Sequence, residues 1–428
     1  MKDFGIYIHI PFCRQKCFYC DFPSFAGKEG MIGPYLEALE QEIGQVRQRL
    51  SERGGVSLGR ERASFGRGSV AVGSDRASFS SDRAVFGSDR AVFSCDGKLA
   101  PGTLYIGGGT PTVLETVALP DVFYLLQKHI DVEGIEEFTM EANPGTVDGE
   151  KLRLLHSFGV NRLSLGVQSF DDSCLKAIGR IHSGQEAAEA VAEAQDAGFG
   201  NLSVDLMYGL PGQDMESLRD SLETAIALGV QHISIYGLQL EPGTVFDKLQ
   251  QQGRLVLPSD ELTEEMYDYI TASLPERGYR RYEISNFALP GYESRHNLSY
   301  WQDVPYLGFG SGAHSYWGDC RYQNPARIEV YMEEVFQGRA MCHVEEKITE
   351  KAHMEEFCFL ALRTAEGISV RRFAAAFGRD VHEVYGEPIR RLVEKGLLLE
   401  DRERLYLSPL GMKYGNQVFG EFLLEDEK

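Results

Sequence analysis

Three cysteines fall close together near the start of the chain, Cys13, Cys17 and Cys20, in the pattern C-x3-C-x2-C directly behind a short apolar run. The chain holds eight cysteines among 428 residues, so chance alone gives this pattern on the order of a few times per thousand such chains. Thiolates so spaced can hold a metal centre. A structural zinc wants four nitrogen or sulfur ligands. His9 lies four residues before Cys13 and could complete such a set, but it belongs to the preceding strand, where an inward polar residue is the simpler reading. An iron–sulfur cluster held by three thiolates leaves one iron open to an external ligand, and this is the chemistry we favour. Cys95, Cys174, Cys320, Cys342 and Cys358 are scattered and read as packing or exposed thiols.

Stepping from the cysteines to what must hold them, FGIYIHI (4–10) reads as a buried strand, and 34–50 as a helix with Pro34 near its start. Strands followed by polar or Gly-rich turns recur at 103–111, 136–144, 162–170, 202–212 and 232–243, with helical stretches at 117–130, 149–158, 184–197 and 215–228 between them. Such alternation implies parallel βα units with the site at the carboxyl ends of the strands. Because the repetition stops near 240, an open or partial barrel is expected. From about 346 the pattern turns helical and ends in two β-like runs, LLLED and RLYLS, suggesting a winged-helix-like module. That shape alone does not imply DNA binding.

From 59 the chain runs through five heptads rich in Gly, Ser, Asp and Arg, the second degenerate. They carry too little apolar surface to offset chain entropy, so 52–98 reads as a disordered or loosely ordered insertion; a short β-ladder is the less favoured alternative. The net charge is −21, which repels nucleic-acid backbones and anionic lipid. The first residues lack the form of a secretory signal, and no run of about 18 apolar residues exists. A cytoplasmic protein is expected.

The segments IYIHIPFCRQKCFYCDFPS, GGGTP, MEANP with Glu141, LGVQSF, Arg180 and VDLMYGLPGQ follow in order within 6–243. Here the chain resembles the radical S-adenosylmethionine superfamily, in particular its oxygen-independent coproporphyrinogen III oxidase-like branch. The resemblance implies a partial (β/α)6-type α/β barrel. It also implies a [4Fe-4S] cluster whose free iron chelates the amino and carboxylate groups of S-adenosylmethionine, and cleavage of the sulfonium to a carbon radical. Gly107, Gly108, Gly109 and Thr110 would let backbone approach the methionyl amino group. Glu141 would pair with that ammonium or hold a ribose hydroxyl. Gln168, Arg180 and Asp205 are expected to line the same region, with Tyr7 and Tyr19 against cluster or cofactor. Singly, each could be a structural hydrogen-bonding residue, and Arg180 and Glu141 could pair with each other. Their recurrence at strand ends favours a site.

That branch holds both decarboxylating oxidases and haem chaperones. The oxidases carry a further cysteine two positions after the third ligand, where this chain has Phe22, and a longer segment before the cluster strand. RHNLSYW (295–301) matches a motif of the chaperones. It makes His296, Asn297, Tyr300 and Trp301 candidate haem-binding residues: a histidine for iron and flat apolar rings for the macrocycle. His314 in GSGAHSY is a second candidate ligand, and the scattered cysteines stay open as others. The expected function is a haem chaperone delivering haem to an acceptor protein such as a respiratory haem enzyme. The alternative is coproporphyrinogen III dehydrogenation or another radical reaction. A homodimer is compatible with the resemblance. The expected division is 1–245 core, 246–345 extension carrying HNLSYW, and 346–428 C-terminal module.

Overall fold

Alternation with a period of two along the expected strands decides how the chain folds. The computed structural model describes residues 4–52 and 92–424; most of the heptad stretch, 53–91, lies outside the described residues. Six strands form β1 (Gly5–Ile10), β2 (Thr103–Gly108), β3 (Glu137–Ala142), β4 (Arg162–Gln168), β5 (Leu202–Tyr208) and β6 (His232–Gly237). They pair in parallel in chain order. One face of each carries the apolar residues: Ile6, Ile8, Leu104, Ile106, Phe138, Met140, Leu163, Leu165, Val204, Leu206, Ile233 and Ile235 all join one buried core. The intervening positions carry Tyr7, His9, Tyr105, Glu141, Arg162, Ser164, Asp205 and Ser234, which line cavities instead. Since successive strand side chains point to opposite faces, the polar set is forced together on the inner side.

Helices Ile32–Glu52, Leu119–His129, Gly149–Ser157, Gly184–Asp196 and Met215–Ala227 connect these strands. Asp148, Ser183 and Asp214 cap three of them through side-chain acceptors. Val92 re-enters the fold ahead of β2. Phe93 bridges Leu99, Leu99 bridges Ile130, and Leu99 is fully buried, so the last residues of the expected insertion belong to the folded body.

The repetition does stop after β6, but the sheet does not. Residues 280–347 add β7 (Arg280–Arg281), β8 (Asn286–Ala288), β9 (Tyr306–Phe309), β10 (His314–Trp317), β11 (Cys320–Gln323) and β12 (Val344–Lys347). The twelve strands run β12-β11-β10-β9-β1-β2-β3-β4-β5-β6-β8-β7, an open order. β9 pairs with β1 in parallel, Tyr306 opposite Gly5, which returns the distant RHNLSYW segment to the strand that leads into the cysteines.

Beyond residue 348 a second core gathers Met354, Phe357, Phe373, Tyr385, Leu405 and Phe422. Its helices accompany a three-stranded sheet in which Ile368–Ser369 pairs with Arg404–Leu407, itself paired with Leu398–Glu400. The hairpin is the one expected; the short third strand completes it.

Candidate functional site: two adjoining cavities

β1 runs straight into the first cysteine. Gly109 N–H donates to Ile10 O at 2.9 Å and Thr110 N–H to Phe12 O at 2.8 Å, clamping the end of β2 onto the start of the cysteine loop. This is what the glycine run achieves within the protein. Gly108 has φ +111°, and a Cβ there would overlap the His9 imidazole; one on Gly109 would sit 2.7 Å from Phe12 O. The far side of the loop is held by Phe18, whose N–H donates to Ile178 O and whose carbonyl accepts from Phe246 N–H. Cys174, Ile178, Met207, Leu210 and Phe246 form a small core against which Phe18 and Tyr19 pack.

Cys13, Cys17 and Cys20 line one cavity of about 670 Å³, together with Tyr19, Gly108, Gly109, Thr110, Glu141, Gln168, Arg180 and Asp205. Thr110 Oγ1 lies 3.6 Å from Cys13 Sγ, and Arg180 donates from Nη1 to Cys17 Sγ at 3.4 Å. Burial pushes the Cys13 and Cys20 thiols up; a bound metal reverses this by taking the thiolate directly. Among the described residues no group of three or more His, Cys, Asp or Glu converges as a site for a single metal ion. A cluster has no need of that, since each thiolate meets its own iron. His9 is committed elsewhere: its Nε2 donates to Pro23 O at 2.8 Å and its Nδ1 accepts from the Tyr7 hydroxyl at 3.0 Å.

Glu141 and Arg180 do not pair with each other. Glu141 accepts from Tyr105 Oη at 2.7 Å and Gly108 N–H at 3.1 Å, and burial raises its carboxyl to about 7. Arg180 donates to Asn143 Oδ1 at 2.8 Å and to Gly166 O. Asp205 accepts from Ser164 Oγ at 3.1 Å, and burial raises its carboxyl too. Gln168 stands at φ +72°, at a register shift between β4 and β5; a non-glycine residue in the left-handed region marks local strain of the kind found at sites. Two buried guanidinium nitrogens, Arg162 Nε and Arg180 Nε, reach no acceptor among the described residues. Unmet donors in the cavity that holds three thiols suit a ligand with anionic groups. Arg162 and Asn143 were not singled out from the sequence. Arg162 could have been found as the lone cation at an inward position of an otherwise apolar strand.

Tyr7 lies apart from its expected companions. It lines a second, mainly apolar cleft of about 580 Å³ with Tyr105, Tyr300, Trp301, Tyr306 and Tyr316. Helix Arg295–Trp301 forms part of this cleft and is fixed from outside the motif. The Glu137 carboxylate accepts from Arg295 N–H and His296 N–H, both at 2.9 Å. His296 is buried over Gly5, stacked on Tyr105 at 5.1 Å. Its Nδ1 meets Thr103 Oγ1 and its Nε2 meets Tyr300 Oη, each at 2.8 Å. Burial lowers its imidazole to about 3, so it is neutral with both nitrogens engaged. Trp301 sits under the Arg363 guanidinium at 4.6 Å, its indole N–H without an acceptor among the described residues. Asn297 borders both cavities, as do Phe22, Tyr105, Glu141, Tyr300 and Trp301. His314 lines the cleft from β10. None of the five scattered cysteines lines either cavity.

Comparisons with known proteins bear on the family and the fold. The model of the Radical SAM superfamily matches residues 98–225, and that of the HemN C-terminal domain matches 348–413. The heme chaperone HemW of Lactococcus lactis is 36% identical, the alignment covering 99% of this chain and 98% of that protein. HemW of Bacillus subtilis is 36% identical over 98% and 99%. Among solved structures, coproporphyrinogen III oxidase (HemN) from Escherichia coli superposes with a TM-score of 0.77 at 22% identity, covering 99% of this chain and 90% of that one.

Proposed function

The chain belongs to the HemW haem chaperones of the radical S-adenosylmethionine superfamily, and from that premise we propose how its two cavities divide the work. As a member it carries a [4Fe-4S] cluster and S-adenosylmethionine, binds haem and passes it to an acceptor protein.

The observation that carries the proposal is the adjacency itself: a polar cavity with three cysteines and an aromatic cleft with HNLSYW share one wall. Cys13, Cys17 and Cys20 would hold the cluster. When bound, it offers an iron without a thiolate to the amino and carboxylate groups of S-adenosylmethionine. Glu141 would accept an N–H of that amino group, and Arg162 and Arg180 would satisfy their unmet donors on anionic groups. Tyr19, Gly108, Gly109, Thr110, Gln168 and Asp205 would shape the remainder. In the cleft, Tyr300 and Trp301 present flat faces to a macrocycle, with Tyr7 beside them, Asn297 at the border, and His296 orienting the Tyr300 hydroxyl. Phe22, 60% exposed where the oxidases carry cysteine, borders both cavities and adds no thiol.

The proposal divides the chain into a core at 1–245, an extension at 246–345 and a module at 346–428. It extends to a respiratory haem enzyme as acceptor, a homodimer as the working state and the cytoplasm as location. Among the described residues no helix is long and apolar enough to cross a membrane. The test is anaerobic reconstitution of the cluster followed by titration with haem. A Soret band with near-stoichiometric uptake is expected. Absence of that band, together with decarboxylation of coproporphyrinogen III, would overturn the reading.

A further inference from the structure

The chaperone reading does not say which atom meets the haem iron. An axial imidazole needs one ring nitrogen that is unshared and faces the macrocycle. Three histidines line the aromatic cleft: His9, His296 and His314. His9 uses both nitrogens, on Tyr7 and Pro23, and is 2% exposed. His296 uses both, on Thr103 and Tyr300, and is 1% exposed. For either to ligate, a packed hydrogen-bonded partner would have to give way on one nitrogen. The tyrosines offer no easier route. Burial raises Tyr7, Tyr105 and Tyr300, which disfavours the phenolate an iron would want. No cysteine or methionine lines this cleft.

His314 differs on each count. It opens β10 behind Gly312, which has φ +74°, and shares the cleft wall with Tyr316 two residues on. Its side chain is 46% exposed, so a ligand can reach it. Its Nδ1 lies 3.2 Å from Glu345 Oε2 on β12, and its Nε2 forms no hydrogen bond among the described residues. Metal-binding histidines commonly present one nitrogen to the metal while a carboxylate holds the other N–H, which fixes both tautomer and ring orientation. Here a carboxylate lies within ion-pair distance of one nitrogen, close enough to take its N–H by a small rotation, and the opposite nitrogen is unspent.

We propose that His314 supplies the axial nitrogen to haem iron in the aromatic cleft, with Glu345 as its positioning residue; the inference rests on the haem-chaperone reading. His296 then serves the cleft wall, holding Tyr300 and stacking on Tyr105, rather than the iron. The donor is the Nε2 lone pair, so no electron or proton changes hands when the bond forms.

The test uses the full chain with its cluster reconstituted, titrated with ferric haem and followed by absorption and electron paramagnetic resonance. The wild type should show the spectrum of histidine-ligated haem. His314→Ala and His314→Gln should lose it, retain the cluster absorption, and regain it with added imidazole. Glu345→Ala should weaken haem affinity about tenfold or more. If the wild type binds haem and both His314 variants keep its spectrum, the inference is overturned while the chaperone reading stands. Loss of the cluster together with the haem spectrum in both His314 variants would assign a structural role and also overturn it. A wild type that shows no Soret band overturns the chaperone reading itself, and this inference with it.

Discussion

Glu141 is the carboxylate whose ionisation this site has to manage. Raised to about 7 by burial, it is close to half protonated near neutrality in the ligand-free protein. An N–H of the ligand donated to it favours the ionised form, so binding S-adenosylmethionine should release a proton. Affinity should then rise with pH and level off above the folded-state value. Between pH 8 and pH 6 it should fall roughly tenfold, measurable by calorimetry in buffers of different ionisation enthalpy. Glu141→Gln should bind more weakly and flatten that profile. Single residues of this kind were legible where their spacing was tight. Cys13, Cys17 and Cys20 stand within one loop, and Glu141 closes a strand. Glu137 and Arg162 were not, because nothing beside them in sequence reveals their work. Glu137 acts on backbone 158 residues downstream, and Arg162 matters for the donor it leaves unmet.

At the scale of elements, helix Arg295–Trp301 depends on β3. Three groups at its start, the Ser294 hydroxyl and the N–H groups of Arg295 and His296, donate to the Glu137 carboxylate. Glu137→Ala leaves these buried donors unmet, a cost of roughly 1–3 kcal/mol. We expect reduced haem uptake at unchanged cluster content, read as iron and sulfide per chain. If cluster content fell in step with haem uptake, the helix would not be a separate unit of the site. The six parallel strands were readable because each alternates apolar and polar residues over six or seven positions. The strands at 280–347 were not. β7 spans two residues, β12 is exposed along its whole length, and such strands are set by their neighbours rather than by their own pattern. The return of β9 beside β1 is a long-range pairing that no local period announces.

At the scale of the whole molecule, the C-terminal module is not an independent attachment. Arg363 lies over Trp301, His353 meets Asp303 at 2.6 Å, and Arg372 donates to Gln302 O, so it braces the helix that carries HNLSYW. Around the heptad stretch the helix is described to Glu52 and the fold from Val92. Replacing 53–91 with a short Gly–Ser linker should leave cluster content and haem uptake unchanged. A shortened chain unable to reconstitute its cluster would give the stretch a structural role. The common wall of the two cavities has its own consequence. Glu141 touches Tyr105, Tyr105 stacks on His296, and His296 meets Tyr300. A ligand that repositions Glu141 therefore changes the free energy of whatever lies against Tyr300. Thermodynamic linkage makes that influence reciprocal: the factor by which S-adenosylmethionine alters haem affinity must equal the factor by which haem alters affinity for S-adenosylmethionine. Loading and release of the cargo can thus be written as one allosteric equilibrium with two ligands.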